Sequence, residues 1–187
     1  MTYQYYDKEL EISGSAEDFK RQMRYMYNVE DIPKLEKMIE FMEQDLKMDT
    51  PSITENDLKI AKYHKDSIIE EKEFPDEPFN IARMKKDLLE GYNKFEDFKD
   101  GDLEVSMLYE KNDYNGKEID WDNDKILLSV TKYDYENNEV ISGANAFTPK
   151  EFFEFSHKDF SSQIGATYFY ADSREPIDEV EEKEYDD

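Results

Sequence analysis

A chain of 187 residues is long enough for one domain, or one domain with an appendage, and for a sizeable core. Its 48 acidic residues against 24 basic ones give a net charge of −24, which repels nucleic acid and anionic membrane and attracts basic surfaces. With no cysteine, disulfides, thiolate metal sites and cysteine nucleophiles are excluded.

Only 37% of the residues are hydrophobic, yet 14 tyrosines and 12 phenylalanines supply rings that each bury roughly 150–250 Å². That favours a folded protein over a disordered one. The opening Met-Thr-Tyr-Gln-Tyr-Tyr-Asp lacks the basic and apolar regions of a signal peptide. No apolar run approaches the roughly 20 residues that span a bilayer. The expectation is a soluble, cytoplasmic protein with no membrane partner.

Residues 2–12 alternate around Tyr3, Tyr5, Leu10 and Ile12, as a strand or short hairpin does, until Ser13-Gly14 breaks the pattern. Ser15 with Asp18 forms a capping-box start to a first helix, which carries Phe19, Met23 and Met26 on one face. Lys20, Arg21 and Arg24 there form the compact basic group of the chain, expected to be a solvated face paired with neighbouring acids. Asp31-Ile32-Pro33 opens a second helix, with proline in the first turn where its missing N–H costs nothing. Leu35, Met38, Ile39, Met42 and Leu46 follow at helical spacing. Such a methionine stripe is core by default and a binding groove by exception.

Thr54 with Asp57 caps a third helix through Leu58, Ala61, Tyr63 and Ile68-Ile69, and Glu70 to Pro78 reads as a charged, proline-bearing linker. A fourth helix follows over about Asn80 to Phe98, using Ile81, Met84, Leu88, Tyr92 and Phe95 and weakened by Gly91. Asp100-Gly101 turns into a sheet. Leu103 to Tyr109 is a strand, and Lys125 to Tyr133 is a second that returns through an Asp134–Asn138 turn to Glu139–Ser142. Thr148, Pro149 and Glu151 compose the entry to a short helix bearing Phe152, Phe153 and Phe155. Ala166 to Ala171 is predicted as a final strand. From Asp172 onward, nine acids stand against two bases, the composition of a disordered tail.

The predicted class is α+β: N-terminal strand or strands, a four-helix segment, then an antiparallel meander with a short helix and a final strand. Residues 1–171 would form a single domain, helical over about 15–98 and sheet-bearing over about 102–171. Residues 172–187 would be the acidic tail.

Catalytic chemistry has little to stand on. The two histidines, His64 and His157, are isolated and expected at the surface or half-buried, and there is no Gly-x-Ser-x-Gly elbow or His-Glu-x-x-His pair. Six scattered glycines build no phosphate loop. Asp120, Asp122 and Asp124 match the first, third and fifth ligands of an EF-hand, but Lys125 stands where Gly belongs and Thr131 where Glu belongs. The other register places Asp113, Asn115 and Gly116 well but puts Lys111 first. At most a weak cation site of another kind is left there. The expectation is a non-enzymatic chain with no catalytic residue, no metal and no cofactor.

What points to a function is aromatic and acidic. The loop from Glu110 to Asp124 holds the sole tryptophan among carboxylates. Tyr109, Asp113, Tyr114, Glu118, Asp120, Trp121, Asp122 and Asp124, with Tyr133, Asp134, Tyr135 and Glu136 at the following turn, are the candidate partner-binding residues. Their carboxylates match Arg forks and Lys ammoniums, and their rings are typical interface anchors. The other reading has Trp121 and the tyrosines covering the sheet, with the acids as its wet rim.

In size and composition along its whole length, this acidic, cysteine-free chain rich in Tyr, Asn, Lys, Glu and Ile resembles small inhibitors carried by phages and mobile elements of low-GC bacteria. These include anti-CRISPR and anti-restriction proteins, some of which mimic DNA. The resemblance implies an inhibitor of a basic, nucleic-acid-binding surface on a CRISPR effector or other defence nuclease, making no direct contact with nucleic acid. The alternatives are an acidic adaptor or assembly protein that binds another basic partner through a groove lined by Met38 and Met42, or a carboxylate-based hydrolase.

Overall fold

The computed structural model describes residues 2–91, 98–113 and 118–172. The fold is α+β. A short hairpin, β1 (Tyr5–Asp7) and β2 (Ile12–Gly14), leads into α1 (Ala16–Gln22), α2 (Ile32–Asp45), α3 (Glu55–Glu73) and α4 (Ile81–Leu89). A four-stranded antiparallel sheet follows in the order β3 (Phe98–Asp100), β4 (Leu103–Glu110), β5 (Lys125–Asp134) and β6 (Glu139–Phe147). Two helices close the described chain, α5 (Pro149–Glu154) and α6 (His157–Asp172).

The helix starts form where capping chemistry places them. Ser15 Oγ accepts from the Asp18 N–H while Asp18 accepts from the Ser15 N–H and hydroxyl, and Thr54 with Asp57 and Thr148 with Glu151 repeat the arrangement. The Ser15 N–H and hydroxyl, with Arg21, hold the Asp18 carboxyl down at about 2. Gly14 lies at φ 145°, and a β-carbon there would sit 3.1 Å from Asp18 Cβ, so the hairpin runs straight into the cap only with glycine.

Two hydrophobic clusters form. The first joins the hairpin to α1–α3 around Phe19, Leu35, Met38 and Met42, with the Tyr5 and Phe41 rings stacked at 4.9 Å. Met38 and Met42 are 2% and 0% exposed. The methionine stripe is therefore core, and the groove that the adaptor alternative required is closed. The second cluster fills the inner face of the sheet, where Val105, Met107, Ile126, Leu128 and Val130 meet α4, α5 and α6.

Three elements differ from the sequence expectation. α4 stops at Leu89, with Gly91 beyond it at φ 90°, and Phe98 opens an additional strand rather than ending the helix. Tyr92 and Phe95 lie outside the described residues. Ala166–Ala171 is the end of α6 rather than a strand. Ser156 and Asp159 form a further capping box, and Phe160, Ile164 and Thr167 recur at helical spacing and bury one side of the helix against β5 and β6. Packing overrides the β preference of Thr, Tyr and Phe there. The expected tail from 173 onward lies outside the described residues.

The third difference is the linker. α3 continues through it to Glu73, and Glu70 is buried. Its carboxylate accepts the Ile81 N–H at 2.7 Å and the Ala82 N–H at 2.9 Å, two of the otherwise unpartnered donors at the start of α4. It also lies 2.7 Å from His157 Nδ1 at the start of α6. The His157 ring stacks between Phe74 at 3.8 Å and Phe79 at 4.6 Å, and His64 reaches the Met26 carbonyl at 2.8 Å. His64 is buried, more than expected, and His157 is half-buried, within the expectation. Lys85, itself buried, donates to the Phe155 carbonyl at 2.6 Å and so ties α4 to the end of α5.

Replacing Glu70 by Ala strands two buried N–H groups and an imidazole. We expect a loss of about 3–5 kcal/mol, read as a lower urea midpoint. Exposed Glu71→Ala, one residue on, should stay within about 0.5 kcal/mol of the parent.

Candidate functional site

Strand β5 separates the sequence candidates into two groups. The β4–β5 loop carries Asp113 to Asp124 at one end, and the β5–β6 turn carries Tyr133 to Glu136 at the other. Ten residues at about 3.3 Å each put the groups roughly 30 Å apart, so they do not make one patch.

The loop is largely satisfied from within. Asp124 is only 2% exposed and accepts from the Tyr109 hydroxyl, from the Asn112 N–H at 2.7 Å and from the Asp120 N–H at 2.8 Å. Burial drives its carboxyl up, but these three donors outweigh that and hold it below the ordinary value of 3.8. Burial first, and Asp124 second, push the Tyr109 phenol well up. Tyr109 is itself 6% exposed. Tyr109 and Asp124 are therefore the internal anchor of the loop and offer no surface to a partner, contrary to their place among the candidates.

Asp120 accepts the Asp122 and Asn123 N–H groups and both oxygens meet Asn123 Nδ2, at 3.0–3.3 Å. Asp122 pairs with Lys150 at 3.4 Å. Trp121 is half-buried, edge-on to Phe153 at 5.0 Å, with Lys59 Nζ 5.8 Å from its ring. Asp113 and Glu118 are exposed, and Tyr114 lies outside the described residues. Among the described residues no group of three or more His, Asp or Glu is placed to hold a metal ion. In the described part of this loop Trp121 packs against Phe153 of α5, Asp120 and Asp122 are exposed, and Asp124 is buried.

The turn end is different. The Tyr133 and Tyr135 rings stack at 6.1 Å, and Tyr135 is 71% exposed. The Tyr133 hydroxyl donates to Glu104 at 3.2 Å, which pushes the phenol up, and Lys99 pairs with the same carboxylate at 2.8 Å. Asp134 shapes the turn by accepting from the Asn137 side chain and from the Asn137 and Glu136 N–H groups, the bonds that hold its carboxyl low. Glu136 is exposed.

Beside this turn opens a cleft of about 390 Å³. Asp102, Asp134 and Glu136 line it together with Tyr133, Tyr135 and Tyr168, around Lys132 and Ile141. Lys132 Nζ sits 3.4 Å from the Tyr168 hydroxyl. Three carboxylates and three phenol rings around one ammonium suit a guanidinium or ammonium entering from outside, by charge and by cation–π contact. Asp102 and Tyr168 are missing from the sequence candidates. Asp102 sits in the β3–β4 turn, brought close because its carbonyl accepts the Tyr133 N–H at 3.0 Å, and Tyr168 comes from α6.

The basic trio of Lys20, Arg21 and Arg24 behaves as expected in part. Lys20 pairs with Asp57 at 2.8 Å and Arg21 with Asp18 at 2.6 Å, while Arg24 lies at the rim of a cleft of about 530 Å³ above His64. Burial pushes the His64 imidazole below its ordinary value. Lys20, Arg24 and Lys86 around this cleft are countered by Asp57 and Glu90. No protein-family model, curated protein or solved structure matches this chain.

The anchor in the loop makes a pH prediction. The folded carboxyl of Asp124 lies below its unfolded value, so the unfolded state binds more protons as pH falls through that range. Its contribution is present above the ordinary value of 3.8 and is lost as the pH falls below it through the lowered folded value. Asp124→Asn should weaken the fold by about 1–3 kcal/mol at neutral pH. Urea midpoints of parent and variant should converge as the pH is lowered; a constant gap would show that Asp124 does not hold this role.

Proposed function

We propose that the chain is a non-enzymatic inhibitor that docks on a basic, nucleic-acid-binding surface of a CRISPR effector or another defence nuclease. The observation that carries this reading is the cleft at the β5–β6 turn, where Tyr133, Tyr135 and Tyr168 share a wall with Asp102, Asp134 and Glu136. A groove that holds nucleic acid does so with Arg and Lys aimed at phosphates. A carboxylate takes the same fork that a phosphate oxygen pair takes, and an exposed phenol ring covers the flat side of the guanidinium. The turn end is thus the point of contact, and the −24 of the whole chain steers the approach. The resemblance to phage-borne inhibitors supplies the class of target, and the charge supplies the exclusion of direct nucleic-acid binding.

The test is competition. A purified guide-RNA effector, and separately a restriction nuclease, is bound to labelled DNA and titrated with the protein. DNA should be released, and the release should fade between about 0.1 M and about 0.5 M salt as the Debye length falls from roughly 10 Å to roughly 4 Å. Tyr135→Ala combined with Glu136→Lys should weaken inhibition by about tenfold or more, the effect of losing an anchor worth about 1.4 kcal/mol. Glu118→Gln combined with Asp122→Asn in the loop should change it by less than about threefold. Inhibition that ignores salt would exclude an electrostatic mechanism.

A further inference from the structure

Among the described residues, the face of the sheet turned away from the core is largely exposed, and its composition is unlike the rest of the chain. The register places Ser106, Ser129 and Ala144 in one row across β4–β6 and Leu108, Leu127 and Ala146 in the next. None of these six ionises, although 39% of the chain does. Leu108 is 46% exposed, and Val140, opposite Tyr133 on the same face, is 60% exposed. The charges at the borders of the face come in opposite pairs. Lys99 bridges Glu104 at 2.8 Å, and Glu110 stands directly across from Lys125. Two acids against two bases sum to zero, in a chain where acids outnumber bases two to one.

A neutral, small-residue face is a poor match for a basic partner, which would gain more from almost any other part of this surface. It is what an equally acidic partner requires, because contact elsewhere would set carboxylate against carboxylate. We infer that this face is the contact surface of a homodimer, two sheets packed face to face across a two-fold axis. In such an isologous contact the same rows meet their own copies. The serines and alanines permit close approach, while Leu108, Leu127 and Val140 leave water. The four strands, 3, 8, 10 and 9 residues long at about 3.3 Å per residue and about 4.8 Å apart, offer on the order of 500 Å² per copy, at the small end for a specific interface. The dimer is therefore weak. It also responds to salt in the opposite sense to a basic partner: screening relieves the repulsion between two −24 chains, so salt tightens it.

Sedimentation equilibrium on the full chain tests this, over about 1 to about 200 μM protein, the range in which a small interface dissociates, at about 50 mM and about 500 mM NaCl. The wild type should be dimeric at the upper concentrations, and more so at high salt. Ser129 is exposed and central to the face, so Ser129→Glu and Ser129→Lys should both fold and both remain monomeric. Tyr25→Glu, at an 85% exposed position on the helical half, adds the same charge as the first variant and should dimerise like the wild type. If charge alone mattered, Ser129→Lys would dimerise at least as well as the parent. That outcome, or a wild type monomeric at the highest concentration and salt, would overturn the inference. A monomeric wild type overturns the inference by itself; a dimeric one supports it only if the Ser129 variants are monomeric.

Discussion

The buried carboxylate of Glu70 fixes how the two halves of the chain meet. Ala61 and Ile68 of the same helix belong to the first hydrophobic cluster, while Ile81, Met84 and Leu88 of α4 belong to the second. Pro75 and Pro78 fall between α3 and α4, so the start of α4 needs partners for its exposed N–H groups. Glu70 supplies two of them and places negative charge at the positive end of the helix. It also meets His157, and with it the start of α6. Position α6 there, and the inner face of β5 and β6 is covered while, among the described residues, the outer face stays largely exposed. Tyr168 is carried along the same helix to the turn end of the sheet. One carboxylate thus ties the start of α4 to the start of α6, two of the helices that cover the inner face of the sheet.

Much of the fold was legible because its signals are local. Ser15 with Asp18, Thr54 with Asp57, and Thr148–Pro149 with Glu151 each settle a helix start within four residues, and all three are where their spacing puts them. The hairpin of β5 and β6 announces itself by an apolar run, a polar turn and a return. What was hidden depends on distance along the chain. Glu70 sits in a run of four charged residues and cannot be told from Glu71 until α4 and α6 are in place 11 and 87 positions away. Ala166–Ala171 has the composition of a strand, and only burial of Phe160, Ile164 and Thr167 on one side makes it helix. The candidate site shares that limit, since Asp102 and Tyr168 join it from two other elements.

The loop and the turn at the two ends of β5 show why acidic composition alone does not mark a binding surface. Both are rich in Asp and aromatic rings. In the loop, Asp120 and Asp124 spend their oxygens on backbone and side-chain donors next to them, and Trp121 spends its ring on Phe153. A carboxylate so engaged would have to surrender bonds of its own to receive a guanidinium, and the exchange returns little. At the turn, Asp134 is engaged in the same way, but Glu136 is exposed and Tyr135 shows most of its ring. The difference lies in the ring: Tyr135 is 71% exposed beside Glu136, whereas Trp121 is half-buried against Phe153.

The same accounting explains where the excess charge ends up. The bases of the helical half are drawn into pairs that stitch helices together: Lys20 of α1 to Asp57 of α3, and Lys62 and Lys65 of α3 to Glu43 and Glu36 of α2. Individually such surface pairs are worth little, about 0–1 kcal/mol, but each cancels a carboxylate where two helices approach. At the border of the outer sheet face Lys99 pairs with Glu104 in the same manner, and Lys125 stands across from Glu110 in the register. Of the acids that remain, Glu136 at the β5–β6 turn is exposed. A strongly acidic chain can fold only if its neutral surfaces coincide with its contacts. Among the described residues, the outer sheet face is a neutral surface left largely exposed, and the homodimer inferred above would cover it.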